Sequence, residues 1–324
     1  MQDVNLAIEF KSIPWLKRGY ESLIARFKGA HPPHALLLAG KDGIGKAELV
    51  DALVAGILCL KPINQESCGV CQSCRWLAAH FHPDYYEIKG DAEIKVDEIR
   101  KIHQFAQLTP ETGRKVVVIK QADKMNINAA NSLLKVLEEP PGDLFFLLES
   151  SRGEKLPITV RSRCQTYLVE SPIEQEALSY LQGLIQGHYS LSENELRLLL
   201  ALSFDAPFVA LEYLKGDYIE KRKILLETIQ ALFEGQLLPG KGVGVLLESE
   251  SLSFDLLFYL LNASFKPLMV EKMPALNILF AVLTSFPERM RLIQYEKLVE
   301  IDRLRTSQTR TDWALEAWFV EFLG

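Results

Sequence analysis

The sequence predicts an α/β domain followed by an all-α remainder, and three observations predict it. An apolar run, Ala35–Ala39, feeds a glycine-rich turn ending in lysine and then a helical stretch, the order of a phosphate-binding strand–turn–helix unit. Further short apolar runs at Lys115–Ile119 and 144–148 alternate with amphipathic stretches, the pattern of a buried parallel sheet covered by helices. From Ser171 onward apolar and charged residues recur at helical period, with no further strand pattern.

A chain of 324 residues exceeds one ordinary core, so two or three domains are expected. With 36 basic and 42 acidic side chains the net charge is −6, which speaks against autonomous DNA binding. Nucleic acid, if contacted, is expected to be contacted jointly with partners. The opening residues MQDVNLAIEFKSIPWL lack a basic stretch before a long apolar run, and no segment reaches roughly 18 uncharged apolar residues. A soluble cytoplasmic protein with no membrane partner is therefore expected. A zinc-bearing DNA-binding module remains a remote reading, opposed by the acidic balance.

In chain order, 12–29 places Trp15, Leu16, Tyr20, Leu23, Ile24 and Phe27 at helical spacing, with Ser12 and Pro14 as starters. This is a packing helix. In the loop that follows the first strand, Gly40, Gly45 and Lys46 fit G-x-x-x-x-G-K-[ST], with Gly43 inside it. Backbone N–H groups of such a loop cradle phosphates, and its lysine reaches the β/γ oxygens. Ala47 stands where a hydroxyl should hold Mg²⁺, and a methyl group coordinates no metal. The loop thus keeps the shape of a nucleotide site and loses part of its chemistry. Weak binding of nucleotide stays compatible with the glycines, while hydrolysis is not expected.

The helix of about 46–60 ends at the first of four cysteines within sixteen residues, Cys59, Cys68, Cys71 and Cys74, spaced C-x₈-C-x₂-C-x₂-C. Their segment has too few apolar residues to pack a core. Four thiolates within reach of one ion suit a closed tetrahedral Zn²⁺ site of structural type. C-x₂-C-x₂-C also opens iron–sulfur runs, but here no cysteine follows three residues later with proline. His80 and His82 read as ordinary histidines. A short strand ends near Lys89, and Asp97 is expected to cap the next helix, which Pro110 closes.

After the apolar strand Lys115–Ile119, a P-loop ATPase carries its carboxylate pair; here those places hold Lys120 and Gln121. Lysine binds no Mg²⁺ and glutamine is no general base. Asp123, three residues on, is assigned a capping or surface role. A helix from Asn128 buries Leu133, Leu134 and Leu137 and stops at Pro140-Pro141.

The loop of 34–46, the cysteine cluster, Lys115–Ile119, NAANSLLKVLEEPP and RSRC occur in this order. Over about 14–170 they resemble the delta-prime family of bacterial DNA polymerase III clamp-loader subunits. The resemblance implies an AAA+ fold: a RecA-like α/β domain over 1–170 with a zinc-binding insertion at 59–74, a helical lid over 171–214, and a helical collar over 215–324. It implies partners as well: ATPase motor subunits and a delta subunit in a pentameric ring, with the sliding clamp and primer–template DNA reached through the complex.

By the same resemblance, Ser150 or Ser151 falls on a polar first-sensor position, and Ser162-Arg163-Cys164 on an SRC motif whose arginine is a finger. Such an arginine acts in trans, on the γ-phosphate of a neighbour's ATP. Arg161 is a weaker candidate for that role, and Cys164 is a small buried hydrophobe. The second-sensor position of the family's motors aligns with Phe208, beside Pro207. Helices are expected at 173–186, 192–203, about 206–214, 217–234, 252–264, 274–285, 287–306 and 311–323. The lead reading is a non-hydrolysing stator of the clamp loader that donates Arg163. The runner-up is an ATP-hydrolysing motor subunit, from which the missing carboxylate pair after Ile119 separates it.

Overall fold

The structure, a computed structural model, describes residues 10–90, 92–265, 276–304 and 311–323. The described residues fall into two compact units, one ending at Tyr180 and one beginning at Leu181.

The first unit is built on five strands: β1 (Ala35–Ala39), β2 (Tyr85–Ile88), β3 (Lys115–Ile119), β4 (Leu144–Ser150) and β5 (Gln165–Leu168). They lie in the order β2-β3-β4-β1-β5, and every pairing is parallel. In register, Leu37 stands between Leu148 of β4 and Thr166 of β5, and Val117 between Tyr86 and Phe146. The three central strands are almost wholly buried because helices cover both faces, which explains their unbroken apolar runs. β5 is an edge strand with mostly exposed residues, so it carries no apolar run and was not expected from sequence.

Helix α1 (Pro14–Phe27) buries all six residues expected to face inward. α2 (Lys46–Leu58) follows β1 directly, and α3 (Gln72–Ala78) forms inside the cysteine-rich segment. α4 (Val96–Ala106) and α5 (Ile127–Glu138) cover one face of the sheet, where Ile99, Ile102, Leu133 and Leu137 meet Val117, Phe146 and Leu148. Asp97 does not cap α4. The helix starts one residue earlier, and Glu98 accepts from the Lys95 backbone N–H at 3.0 Å instead. Asn126 caps α5 by accepting from Ala129 N–H at 2.9 Å.

Two buried charges tie these elements together. The Lys115 ammonium donates to the carbonyls of Phe105 (3.2 Å), Ala106 and Leu108 (2.5 Å), satisfying the open C-terminal end of α4. Asp84, 1% exposed, accepts from the N–H groups of Glu111 (2.9 Å) and Thr112 (2.6 Å) and from the Thr112 hydroxyl (2.6 Å), fixing the turn before β3. Asp84→Ala orphans those donors and is expected to lower unfolding free energy by about 2–3 kcal/mol. Urea denaturation checks this, and a midpoint unchanged from the parent would contradict it.

A four-residue helix, α6 (Ile158–Arg161), precedes β5. The boundary between the units falls within α7 (Glu174–Ile185). The second unit is helical among its described residues: α8 (Glu193–Leu202), α9 (Pro207–Lys215), α10 (Tyr218–Phe233), α11 (Pro239–Leu247), α12 (Glu250–Ala263), α13 (Asn277–Ser285), α14 (Glu288–Leu304) and α15 (Thr311–Leu323). These match the expected helices within a few residues; the expected parts at 274–275 and 305–306 lie outside the described residues. α11 was not expected, because PGKGVGVLL carries three glycines. Tertiary packing requires one of them: a Cβ on Gly242 would meet the Leu232 side chain of α10 at 2.6 Å. Among the described residues, no helix is long and apolar enough to cross a membrane.

Candidate functional site

The glycine turn joins β1 to α2 at the carboxyl edge of the sheet. Gly43 (φ +68°) and Gly45 (φ +95°) both sit in the left-handed region, where a side chain would be strained. A Cβ on Gly40 would stand 2.9 Å from the Val169 carbonyl. The loop is further held by the Gly40 N–H donating to the Ser150 carbonyl at 3.3 Å and by the Trp15 indole donating to the Ile44 carbonyl at 2.8 Å. That role of Trp15 is invisible in sequence, where it reads as one more apolar position of α1.

Lys46 opens α2 with its side chain only 2% exposed. Its ammonium donates to the Lys41 carbonyl at 2.5 Å and to the Ser151 hydroxyl at 3.3 Å, and lies 3.7 Å from the Asp42 carboxylate. Ser151 also donates to Asp42. Of the two adjacent serines, Ser151 is thus the one facing the loop lysine. Ser150 is fully buried and donates to Asp123 at 2.6 Å, so Asp123 takes a specific partner within the sheet edge in place of the expected capping or surface role. Ala47 follows Lys46 in the first turn of α2 and offers the loop no hydroxyl.

Beyond β3, Lys120 pairs with Asp51 of α2 at 3.2 Å and Glu87 of β2 at 3.7 Å. Burial pulls its ammonium down, but the two carboxylates outweigh that and hold it above the ordinary lysine value. Glu149 of β4 is pushed up by burial, against the lowering pull of Lys46 and Lys120. The position that needs a metal-binding carboxylate holds a cation already neutralised by its own acids. Gln121 follows with a left-handed backbone (φ +50°) and adds no ionisable group.

Arg163 lies in the turn after α6, its side chain 34% exposed. Nη1 donates to the Thr159 carbonyl at 2.8 Å and reaches the Ser162 hydroxyl at 3.5 Å, while Nη2 is ion-paired with Glu138. Glu138 escaped the sequence reading because it lies on another element, α5. Cys164 packs, partly buried, on the apolar core, and burial pushes its thiol up to about 12. Phe208 lies in the first turn of α9.

The four clustered cysteines converge. Cys59 ends α2, Cys68 lies in the following loop, and Cys71 and Cys74 sit at the start and within α3. Their sulfurs all lie within 4.8 Å of one another, with separations of 3.4 Å (71 to 74), 3.8 Å (59 to 74), 3.9 Å (59 to 71) and 4.0 Å (68 to 74). Four sulfurs about 2.3 Å from a central ion stand about 3.8 Å apart, so the set fits one tetrahedral metal. Backbone N–H groups of Cys68 and Cys71 donate to the sulfurs of Cys59 and Cys68, each at 3.3 Å. Burial opposes ionisation of Cys71, but the Cys74 and Leu60 N–H groups and neighbouring thiols outweigh it and bring the thiol down to about 6. Burial pushes the thiols of Cys59 and Cys74 the other way, up, so a cation bound by all four sulfurs would have to displace those protons.

His82 is not part of that set. Its Nδ1 accepts from the Asp84 N–H at 3.0 Å, leaving Nε2–H to donate to Ser73 Oγ at 2.8 Å, and Ser73 in turn donates to the Leu58 carbonyl at 2.7 Å. This chain anchors α3 to the end of α2, and burial lowers the imidazole below its ordinary value against the opposing pull of Asp84.

A family model described as DNA polymerase III, delta subunit, matches residues 16–172. The DNA polymerase III subunit delta' of Escherichia coli is 35% identical over 223 residues, 67% of this chain and 65% of that protein. The same-named subunit of Pseudomonas aeruginosa is 36% identical over 229 residues, 69% of this chain and 68% of that protein. The DNA polymerase III subunit tau of E. coli is 34% identical over 168 residues, 51% of this chain and 26% of tau. The match thus spans about two thirds of the delta-prime relatives and a quarter of tau.

Proposed function

The chain belongs to the delta-prime family of DNA polymerase III subunits, and from that membership we propose that it is a non-hydrolysing stator of the sliding-clamp loader. In this reading the first unit is an AAA+ module of RecA-like type. The α/β domain of 1–170, a lid of 171–214 and a collar of 215–324 let it enter a pentameric ring with motor subunits and a delta subunit. Clamp and primer–template DNA are met through that ring, in the cytoplasm. Arg163 serves as a finger on the ATP of an adjacent motor.

One observation carries the proposal: Lys120, paired with Asp51 and Glu87, occupies the strand end where ATP hydrolysis needs carboxylates. With Ala47 in place of the metal-binding hydroxyl, neither of these two positions supplies a metal ligand or a base. An arginine acting in trans needs neither. Residues 40–46 still offer backbone N–H groups to a phosphate, so nucleotide affinity and nucleotide turnover are separate questions.

Cys59, Cys68, Cys71 and Cys74 would hold one Zn²⁺, which would brace the segment between α2 and α3. A closed four-sulfur set has no open coordination position for catalysis, so the ion would be structural.

The isolated chain is expected to show no Mg²⁺-dependent ATP turnover above a protein-free blank in a phosphate-release assay. Turnover by the pure protein that disappears in Lys46→Ala would overturn the stator reading and make the chain a motor.

A further inference from the structure

We propose that Glu138 is the positioning residue that aims Arg163 across the subunit boundary. The inference rests on the finger reading of Arg163 and deepens it. An arginine on a surface turn is a poor catalytic group by itself, since its long side chain samples many rotamers. Here the turn is fixed on one side by α6 and β5, and the guanidinium is held at two nitrogens. Nη1 binds the Thr159 carbonyl of α6, four residues back in the chain. Nη2 binds Glu138, which belongs to α5 and, among the described residues, supplies its charged contact from outside that segment.

The placement of Glu138 points the same way. It is the last residue of α5, where a negative charge opposes the partial charge of the helix C-terminus. A carboxylate there lacks a helix-stabilising reason to exist. It is well suited to hold a cation, because α5 is packed into the core through Leu133 and Leu137 and ends against Pro140-Pro141, so the carboxylate rides on a fixed support. A guanidinium has five N–H donors, and the contacts to Thr159, Ser162 and Glu138 leave at least two for phosphate oxygens. The pair is also open to solvent, with the two side chains 34% and 48% exposed, so its contribution to folding is small. Its consequence should appear in catalysis and not in stability.

The test uses the full chain in a clamp loader reconstituted with its partner subunits, stimulated by clamp and primed DNA. Glu138→Ala is expected to leave assembly and melting temperature as in the parent and to lower kcat for ATP at the affected site roughly 10-fold, with KM little changed. Glu138→Gln, which keeps an acceptor oxygen, should recover part of the loss. In the Arg163→Ala background, Glu138→Ala should cost nothing more, because it acts only through that arginine. Undiminished or raised hydrolysis in Glu138→Ala, or an additive loss in the double variant, would overturn the positioning role. If Glu138→Ala is silent while Arg163→Ala is damaged, only this inference fails. If Arg163→Ala itself runs at the parent rate, the finger reading fails and takes this inference with it.

Discussion

Arg163→Ala is expected to leave the chain folded and able to enter the ring, yet to slow ATP hydrolysis at one motor site by about 10³-fold or more. The folding part follows from the environment of the side chain. Its partners are the Thr159 carbonyl of α6, the neighbouring Ser162 hydroxyl and a carboxylate that is itself half exposed, and losing such contacts costs at most about 1 kcal/mol. The catalytic part follows from chemistry. Charge that builds on the transferring phosphoryl group is stabilised by a fixed cation in a site from which water is excluded, and Arg163 is the residue given that task in the proposal. Arg163→Lys should not rescue, because an ammonium supplies the charge without the planar fork that grips two oxygens. Steady-state hydrolysis with clamp and primed DNA, compared among the parent and the two variants, checks the prediction. Parent rates in both would make Arg163 a surface cation.

The second large effect concerns the sulfur cluster. Metal analysis of the purified chain is expected to find one zinc per molecule, and Cys71→Ser is expected to lose it. Structural zinc sites contribute on the order of 10 kcal/mol to local folding, so the segment between α2 and α3 should become protease-sensitive in the variant. The sheet should survive. The cysteines lie in an excursion from the end of α2, whereas the strands are held by Leu37, Val117, Phe146 and their neighbours. Arg163 lies beyond α6 and should keep its function if the variant assembles. Iron with visible absorbance, or metal-free protein with an ordered segment, would refute the zinc assignment.

How much of this was legible in the sequence depended on whether the signal was local. The glycine turn was legible because Gly40, Gly43 and Gly45 answer backbone demands that act within a few residues. The cysteine set was legible for the same reason, since three-residue steps bring thiols within reach of one another. The central strands announced themselves by burial on both faces, while β5 did not because an edge strand has little to bury. What local pattern could not give were partners across elements. Lys120 could be read as a missing carboxylate but not as the centre of a pair with Asp51 and Glu87, and Asp123 looked like a surface acid although it binds Ser150. Nothing in the run LEEPP marks Glu138 as the partner of an arginine 25 residues later. Gly242 misled for the opposite reason, since a helix-weakening residue is retained there for close approach to Leu232.

The most direct test of the central claim, that this subunit catalyses on a neighbour's nucleotide and not on its own, is the pre-steady-state burst of ATP hydrolysis by the reconstituted ring. Rapid quench after adding clamp and primed DNA measures how many bound ATP molecules are cleaved per ring. The account predicts that Lys46→Ala in this chain leaves the burst at the parent amplitude, while Arg163→Ala reduces it by one site without reducing bound ATP. A burst diminished by Lys46→Ala and untouched by Arg163→Ala would contradict it.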